Sequence, residues 1–205
     1  MQEQGPGAGK RPIDAALARG RCEVAVLELS GEIGYRAVTV EQVLSHSGVS
    51  LEQFEAEFGD LESCFLAAYE AEADVLCEAM LDAASRAETW WAGIRAALET
   101  LLRFVAERPA VARALLRDVH VVGGSALAKH EEVLERLTAA IGSSGELPEE
   151  QLAWTSSFIV GAVEGVVTAR LTREETEDLP SLLPELMYLI VASFEGREAA
   201  ASELE

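Results

Sequence analysis

Apolar residues recur at intervals of three and four along most of this chain, and no stretch alternates strictly between hairpin-type turns. That pattern predicts helices and no strands. A first helix is expected from near Pro12 toward Glu32, carrying Ile13, Leu17, Val24, Leu27 and Leu29, with Gly20 as its weakest point. Thr39 and Gln42 have the spacing of a capping box, and Val40, Val43 and Leu44 share the face of the short helix they would start. Gly48 supplies the sharp exit, Val49 a plug under the turn, and Ser50 with Gln53 a second capping box. A second short helix then begins at about Leu51 with Phe54 and Phe58 one turn apart, and Gly59-Asp60 caps a long third helix through Phe65, Leu66, Tyr69, Leu76 and Met80.

Further along, Trp90 to Ala106 reads as an amphipathic helix, and Pro109 opens another through Leu116. Gly123-Gly124 marks a break, Lys129 to Ile141 a further helix, and Gly142 to Gly145 a loop. Glu149 to Leu171 and Leu182 to Phe194 are apolar on more sides than one helix face needs, so they call for cover beyond a single core.

The chain has 205 residues, of which 49% are hydrophobic, enough for a sizeable core. The formal net charge is −20, and every residue from Ala37 to Ser85 is something other than Lys or Arg. No uninterrupted apolar run approaches the ~18 residues of a membrane helix, and the start, MQEQGPGAGKRP, lacks the apolar stretch of a secretory signal. Cys22, Cys64 and Cys77 are odd in number and form no Cys-x-x-Cys pair, so neither a disulfide scaffold nor a zinc site is expected. The default compartment is a reducing cytoplasm.

Gly34, Tyr35, Thr39, Val40, Gly48, Val49, Ser50, Phe54, Phe58, Asp60 and Glu62 fall at fixed offsets. Over about 60 residues they resemble the amino-terminal helix-turn-helix domain of the TetR family of transcriptional repressors. The resemblance implies an all-α fold, with a three-helix DNA-binding-type domain followed by a helical ligand-binding and dimerisation domain. Residues 1–11 would be a flexible tail, 12–60 the helix-turn-helix domain, 61–196 the effector-binding and dimerisation domain, and 197–205 a second flexible tail. It also implies a homodimer, operator DNA and a small effector as partners, with no cofactor, no metal and no membrane.

By that resemblance, Thr39, Ser50, Leu51, Glu52, Gln53 and Glu55 approach DNA, helped by Lys10, Arg11 and Arg36. The chain departs from the family pattern at Leu44 and Ser47, where Ala is usual, at Glu55, where Tyr or His is usual at or beside the position, and at Leu61, where Lys is usual. The carboxylates oppose docking on phosphate, although Gln53 could read adenine and Glu52 could accept from cytosine. Two readings follow: a dimeric repressor responsive to a small apolar ligand, or a ligand sensor or decoy dimer partner that keeps the fold and has lost DNA.

Candidates for the effector pocket are Met80, Trp91, Phe104, His120, Trp154 and Phe158, bulky or polar residues on helices of the second domain. The seam between subunits is expected to use Phe158, Val163, Val166, Leu186 and Ile190. Catalytic candidates are lacking: His46, His120 and His130 are isolated in sequence, and neither a zinc-protease pattern nor a nucleophile elbow occurs. Asp118 and His120, two apart on a helix, point in different directions.

Overall fold

The computed structural model of the protein describes residues 14–142 and 149–204. The tail at residues 1–11 with Lys10 and Arg11, the helix start near Pro12 and most of the loop after Gly142 lie outside the described residues. Among the described residues there are helices and turns and no strand.

Helix α1 spans Ala15–Ile33 and begins on Asp14, whose carboxylate accepts from the Ala16 N–H at 3.0 Å. It passes through Gly20 unbroken, because Ala18, Cys22, Ala25 and Val26 anchor it in the core on either side of that residue. Helix α2 is Val40–Ser47 and α3 is Leu51–Glu57, and both expected capping boxes form, Thr39 with Gln42 and Ser50 with Gln53. Between them Gly48 takes a left-handed conformation, φ 69° and ψ 19°, which glycine adopts at least cost. Val49 is buried beneath this turn, and the Ser47 hydroxyl, itself buried, accepts from the Val49 N–H at 3.3 Å. A hydroxyl in place of the usual methyl is therefore accommodated with a hydrogen bond.

Helix α4, Leu61–Ser85, is capped by Asp60 and is about 37 Å long at ~1.5 Å per residue. Its first half packs on α1, which also carries α2 and α3, in a core that includes Phe54, Phe65 and Tyr69, while its second half leads into a separate bundle. That bundle contains α5 (Trp90–Glu107), α8 (Gly124–Ile141), α9 (Glu149–Thr172) and α10 (Leu183–Glu195). Its core is Leu98, Leu102, Val105, Ile159, Val163, Val167, Met187 and Ile190. Helix α6 (Pro109–Arg113) continues through one π-helical turn, Ala114–Asp118, into α7 (Val119–Val122), so the run extends past the expected Leu116. Gly123 breaks it, as expected, but α8 starts at Gly124, five residues before the expected Lys129, since buried Ala126 already belongs to the core.

Within the expected tail at 197–205, the described residues 197–204 form a short helix α11, Arg197–Ala200, and a 3₁₀ turn, Ala201–Leu204. Ala200 is fully buried against the bundle and Glu203 pairs with Arg95 of α5, so packing and charge hold a segment expected to be a flexible tail.

Candidate functional site

Three features of the surface and interior carry chemistry. The first is the capped pair α2–α3. Its outer face consists of Thr39, Ser50, Leu51, Glu52, Glu55 and Ala56, all exposed. The Gln53 amide oxygen is engaged by Ser50, accepting from its hydroxyl at 3.2 Å, so this side chain caps the helix before it can read a base. Arg36 is exposed on the adjoining 3₁₀ turn, Tyr35–Ala37. Arg19 is tied up: it pairs with Glu23 at 2.8 Å and Glu57 at 3.8 Å and lies over the Phe58 ring. Glu52 and Glu55 thus face outward with no cation of the described residues paired to them.

The second is a partly open cavity of about 400 Å³ lined by α4, α5, α8 and α9, with Ala112 of α6 and Ile190 of α10. Of the residues expected at an effector pocket, Met80 and Phe104 line this cavity, together with Ile94, Leu98, Leu137 and Val163. The other expected pocket residues do not. Trp91 donates from Nε1 to Glu195 at 2.7 Å on the outside, and its neighbour Trp90 faces the cavity instead, because adjacent helical residues point about 100° apart. His120 lines a shallower groove next door. Trp154 and Phe158 are 77% and 70% exposed, one turn apart on the outward face of α9.

The same rotation of α9 corrects the expected seam. Val163 faces the subunit's own interior, and Leu186 and Ile190 of α10 are buried there as well. What remains on the outer face is Phe158 and Val166 of α9 with Trp154, and Leu189 of α10, 60% exposed. Residues Leu152–Thr172 are also long and apolar enough to pass for a membrane span by composition. Glu164 lies in the middle of that stretch and is held by a hydrogen bond from α8, which makes it a bundle helix.

The third is a polar relay where the cavity meets the groove. Tyr69 Oη lies 2.9 Å from His130 Nδ1, and His130 Nε2 lies 2.7 Å from a Glu164 carboxylate oxygen. The His120 ring stands edge-on to that of His130, centroids 5.2 Å apart. The two histidines, isolated in sequence, are therefore neighbours in space. Burial, and secondarily the Glu164 charge, raises the Tyr69 phenol above its ordinary pKa of 10.0. Asp118 does not join this group: Arg117 holds it with two hydrogen bonds of 2.9 and 3.2 Å.

Tyr69, His130 and Glu164 escaped the reading of the sequence as a site, although two of them carry a signal. His130 sits on the inward stripe of α8, flanked by Ala126, Val133, Leu134 and Leu137, and Glu164 on that of α9, between Val160 and Val167. A polar residue in phase with a core-facing stripe must find a buried partner.

Comparison with known proteins agrees with this architecture. No curated protein matches the chain in sequence. The fatty acid degradation regulator FadR from Bacillus halodurans superposes with a TM-score of 0.77 at 15% identity, over 95% of this chain and 99% of that one. FadR from Bacillus subtilis, solved in complex with stearoyl-CoA, gives 0.75 at 17% identity over 86% and 98%. A TetR-like transcriptional regulator from Rhodococcus sp. RHA1 gives 0.67 at 20% identity over 88% and 98%. At these identities the similarity establishes the shared fold. The sequence family described as tetracyclin repressor-like, C-terminal domain, matches residues 89–192, just over half of the chain and most of the bundle that lines the cavity. Since the capped α2–α3 pair precedes that domain, the chain belongs to the TetR family of transcriptional regulators.

Proposed function

We propose that the protein is a cytoplasmic, dimeric transcriptional repressor whose grip on DNA is altered by a small apolar ligand held in the cavity. The reading head would comprise residues 12–60 and the effector and dimerisation domain 61–196. The observation that carries this reading is the cavity: about 400 Å³, walled by aliphatic side chains and Phe104, with Tyr69, His130 and Glu164 as polar groups on one side. That is the size and character of small-molecule sites in general. Stearoyl-CoA in the Bacillus subtilis neighbour makes fatty acyl groups the first class to try. The outward Trp154, Phe158, Val166 and Leu189 support a second copy as the cover for α9 and α10.

DNA would be met by α3 and the residues that cap the two short helices, Thr39 and Ser50, with Arg36 and the segment containing Lys10 and Arg11 supplying positive charge. A second reading, a sensor or decoy partner without DNA binding, is favoured by one observation. Glu52 and Glu55 point outward from a stretch devoid of Lys and Arg, where a DNA reader normally displaces counterions with cations.

The test is an electrophoretic shift assay on DNA upstream of the gene, at low and moderate salt, beside thermal-shift measurements with fatty acids and acyl-CoAs. A ligand that raises the melting temperature and changes the DNA shift supports the repressor reading. Ala97→Phe, which fills the cavity from α5, should abolish the ligand's effect. Ligand binding without any DNA shift at low salt selects the sensor reading, and the absence of both defeats the proposal.

A further inference from the structure

We infer that His120, His130 and Glu164 form a binding site for a divalent metal ion of the zinc class. One donor atom from each residue lies within 4.8 Å of the other two. Three different elements bring them together: α7 contributes His120, α8 His130 and α9 Glu164. Tetrahedral ligands at ~2.0–2.1 Å from a zinc ion stand about 3.3 Å apart, so closing the triangle takes a shift of about 1.5 Å. His120 is exposed and free to swing by that amount.

The surroundings suit such an ion. Tyr69 Oη can accept as well as donate, so the proton of neutral His130 can sit on Nδ1 and bond to the phenol. Nε2 then offers its lone pair to the cation, and the 2.7 Å hydrogen bond from His130 to Glu164 is exchanged for two metal bonds. No proton has to leave the protein, only to change ring nitrogen. A hydrogen-bonded second nitrogen is the usual support of a metal-binding histidine. Two imidazoles and one carboxylate favour zinc, cobalt, nickel or copper over magnesium and calcium, which prefer oxygen donors. The groove beside His120 leaves the fourth position open to water or to a ligand atom, and Arg173 is the exposed cation on its wall, Arg117 being neutralised by Asp118. This inference stands apart from the proposed function, since it needs neither DNA nor an apolar effector.

The experiment is titration of chelator-stripped full-length protein with Zn²⁺ against a chromophoric chelator, and with Co²⁺ followed by its visible ligand-field bands. We expect one ion per chain with a Kd below about 1 μM and intense bands of a four-coordinate cobalt site. His120→Ala, at an exposed position where folding is not at stake, should weaken binding about a hundredfold, and Glu164→Gln similarly. Tyr69→Phe should weaken it by about tenfold while the cobalt spectrum keeps its shape, as a supporting residue should. His46→Ala should change nothing. Binding weaker than about 10 μM, or binding that survives both His120→Ala and Glu164→Gln in protein of unchanged circular dichroism, would overturn the site and leave a buried hydrogen-bond relay only.

Discussion

Gly31 of α1 and Ala110 of α6 meet backbone to backbone: a Cβ on Gly31 would stand 1.7 Å from the Ala110 carbonyl oxygen. Arg113, one turn further along α6, donates to the Gly31 carbonyl at 3.1 Å. The contact clamps the first helix of the reading head to the helical run that carries His120 and ends at Val122. The two helices thus meet directly, with no side chain between their backbones at this point.

Glycine substitutions in α1 should split in sign. In a helix interior Gly→Ala ordinarily stabilises by about 0.5–1 kcal/mol, and Gly20→Ala, with no atom within 4 Å of the added Cβ, should do so. Gly31→Ala must instead push α6 away at a cost of about 1–3 kcal/mol. Urea unfolding of the two variants measures both. Equal effects would mean that α1 and α6 are not in contact in solution.

The outward face of α9 and α10 should hold a second copy. Phe158→Glu and Leu189→Glu place charge on exposed positions, so each should yield a folded monomer by light scattering. Charge at Val163 or Ile190, both buried within the subunit, should unfold or aggregate the protein instead. A wild-type monomer at micromolar concentration would remove the dimer from the proposal.

Alkaline pH should destabilise the protein. Burial raises the Cys64 thiol and the Tyr69 phenol above their ordinary values of 9.0 and 10.0, and Cys22, Cys77 and Tyr35 shift the same way. Below the unfolded values all are neutral in both states and contribute full stability. As pH rises beyond them, the unfolded chain releases protons that the fold retains, and stability falls by up to about 1.4 kcal/mol per pH unit per group. Urea melts between neutrality and about pH 10 should show this decline, with Cys64→Ala shallower by about one proton.

Charge reversal on α3 should strengthen contact with DNA. Glu55 is exposed, and Glu55→Lys would exchange a repulsion for a phosphate partner. Nonspecific affinity should rise, and the slope of log K against log salt should steepen by about one. An unchanged slope would show that α3 does not face the phosphates. Leu61→Lys is a poorer choice, because Leu61 packs against the core of the reading head.

Local rules sufficed for the reading head. The capping boxes at Thr39–Gln42 and Ser50–Gln53, the left-handed Gly48 and the Asp60 cap each depend on residues within four positions, and each formed where the sequence placed it. Hydrogen bonds of that range need no tertiary partner to be specified. By themselves, then, the residues determined an all-helical chain, the helix-turn-helix pattern and the acidic character of the reading helix.

Tertiary structure decided which way the apolar helices of the second domain face. α9 is apolar on several sides, so periodicity could not say that Val163 turns inward while Trp154 and Phe158 turn out; α6, α8 and α10 settle that by packing against one side only. The resemblance left residues 197–205 as a flexible tail, but the pairing of Glu203 with Arg95 depends on an α5 residue 108 positions away. The gathering of Tyr69, His120, His130 and Glu164 likewise requires four helices in register, and no spacing in a one-dimensional sequence encodes a distance across a bundle.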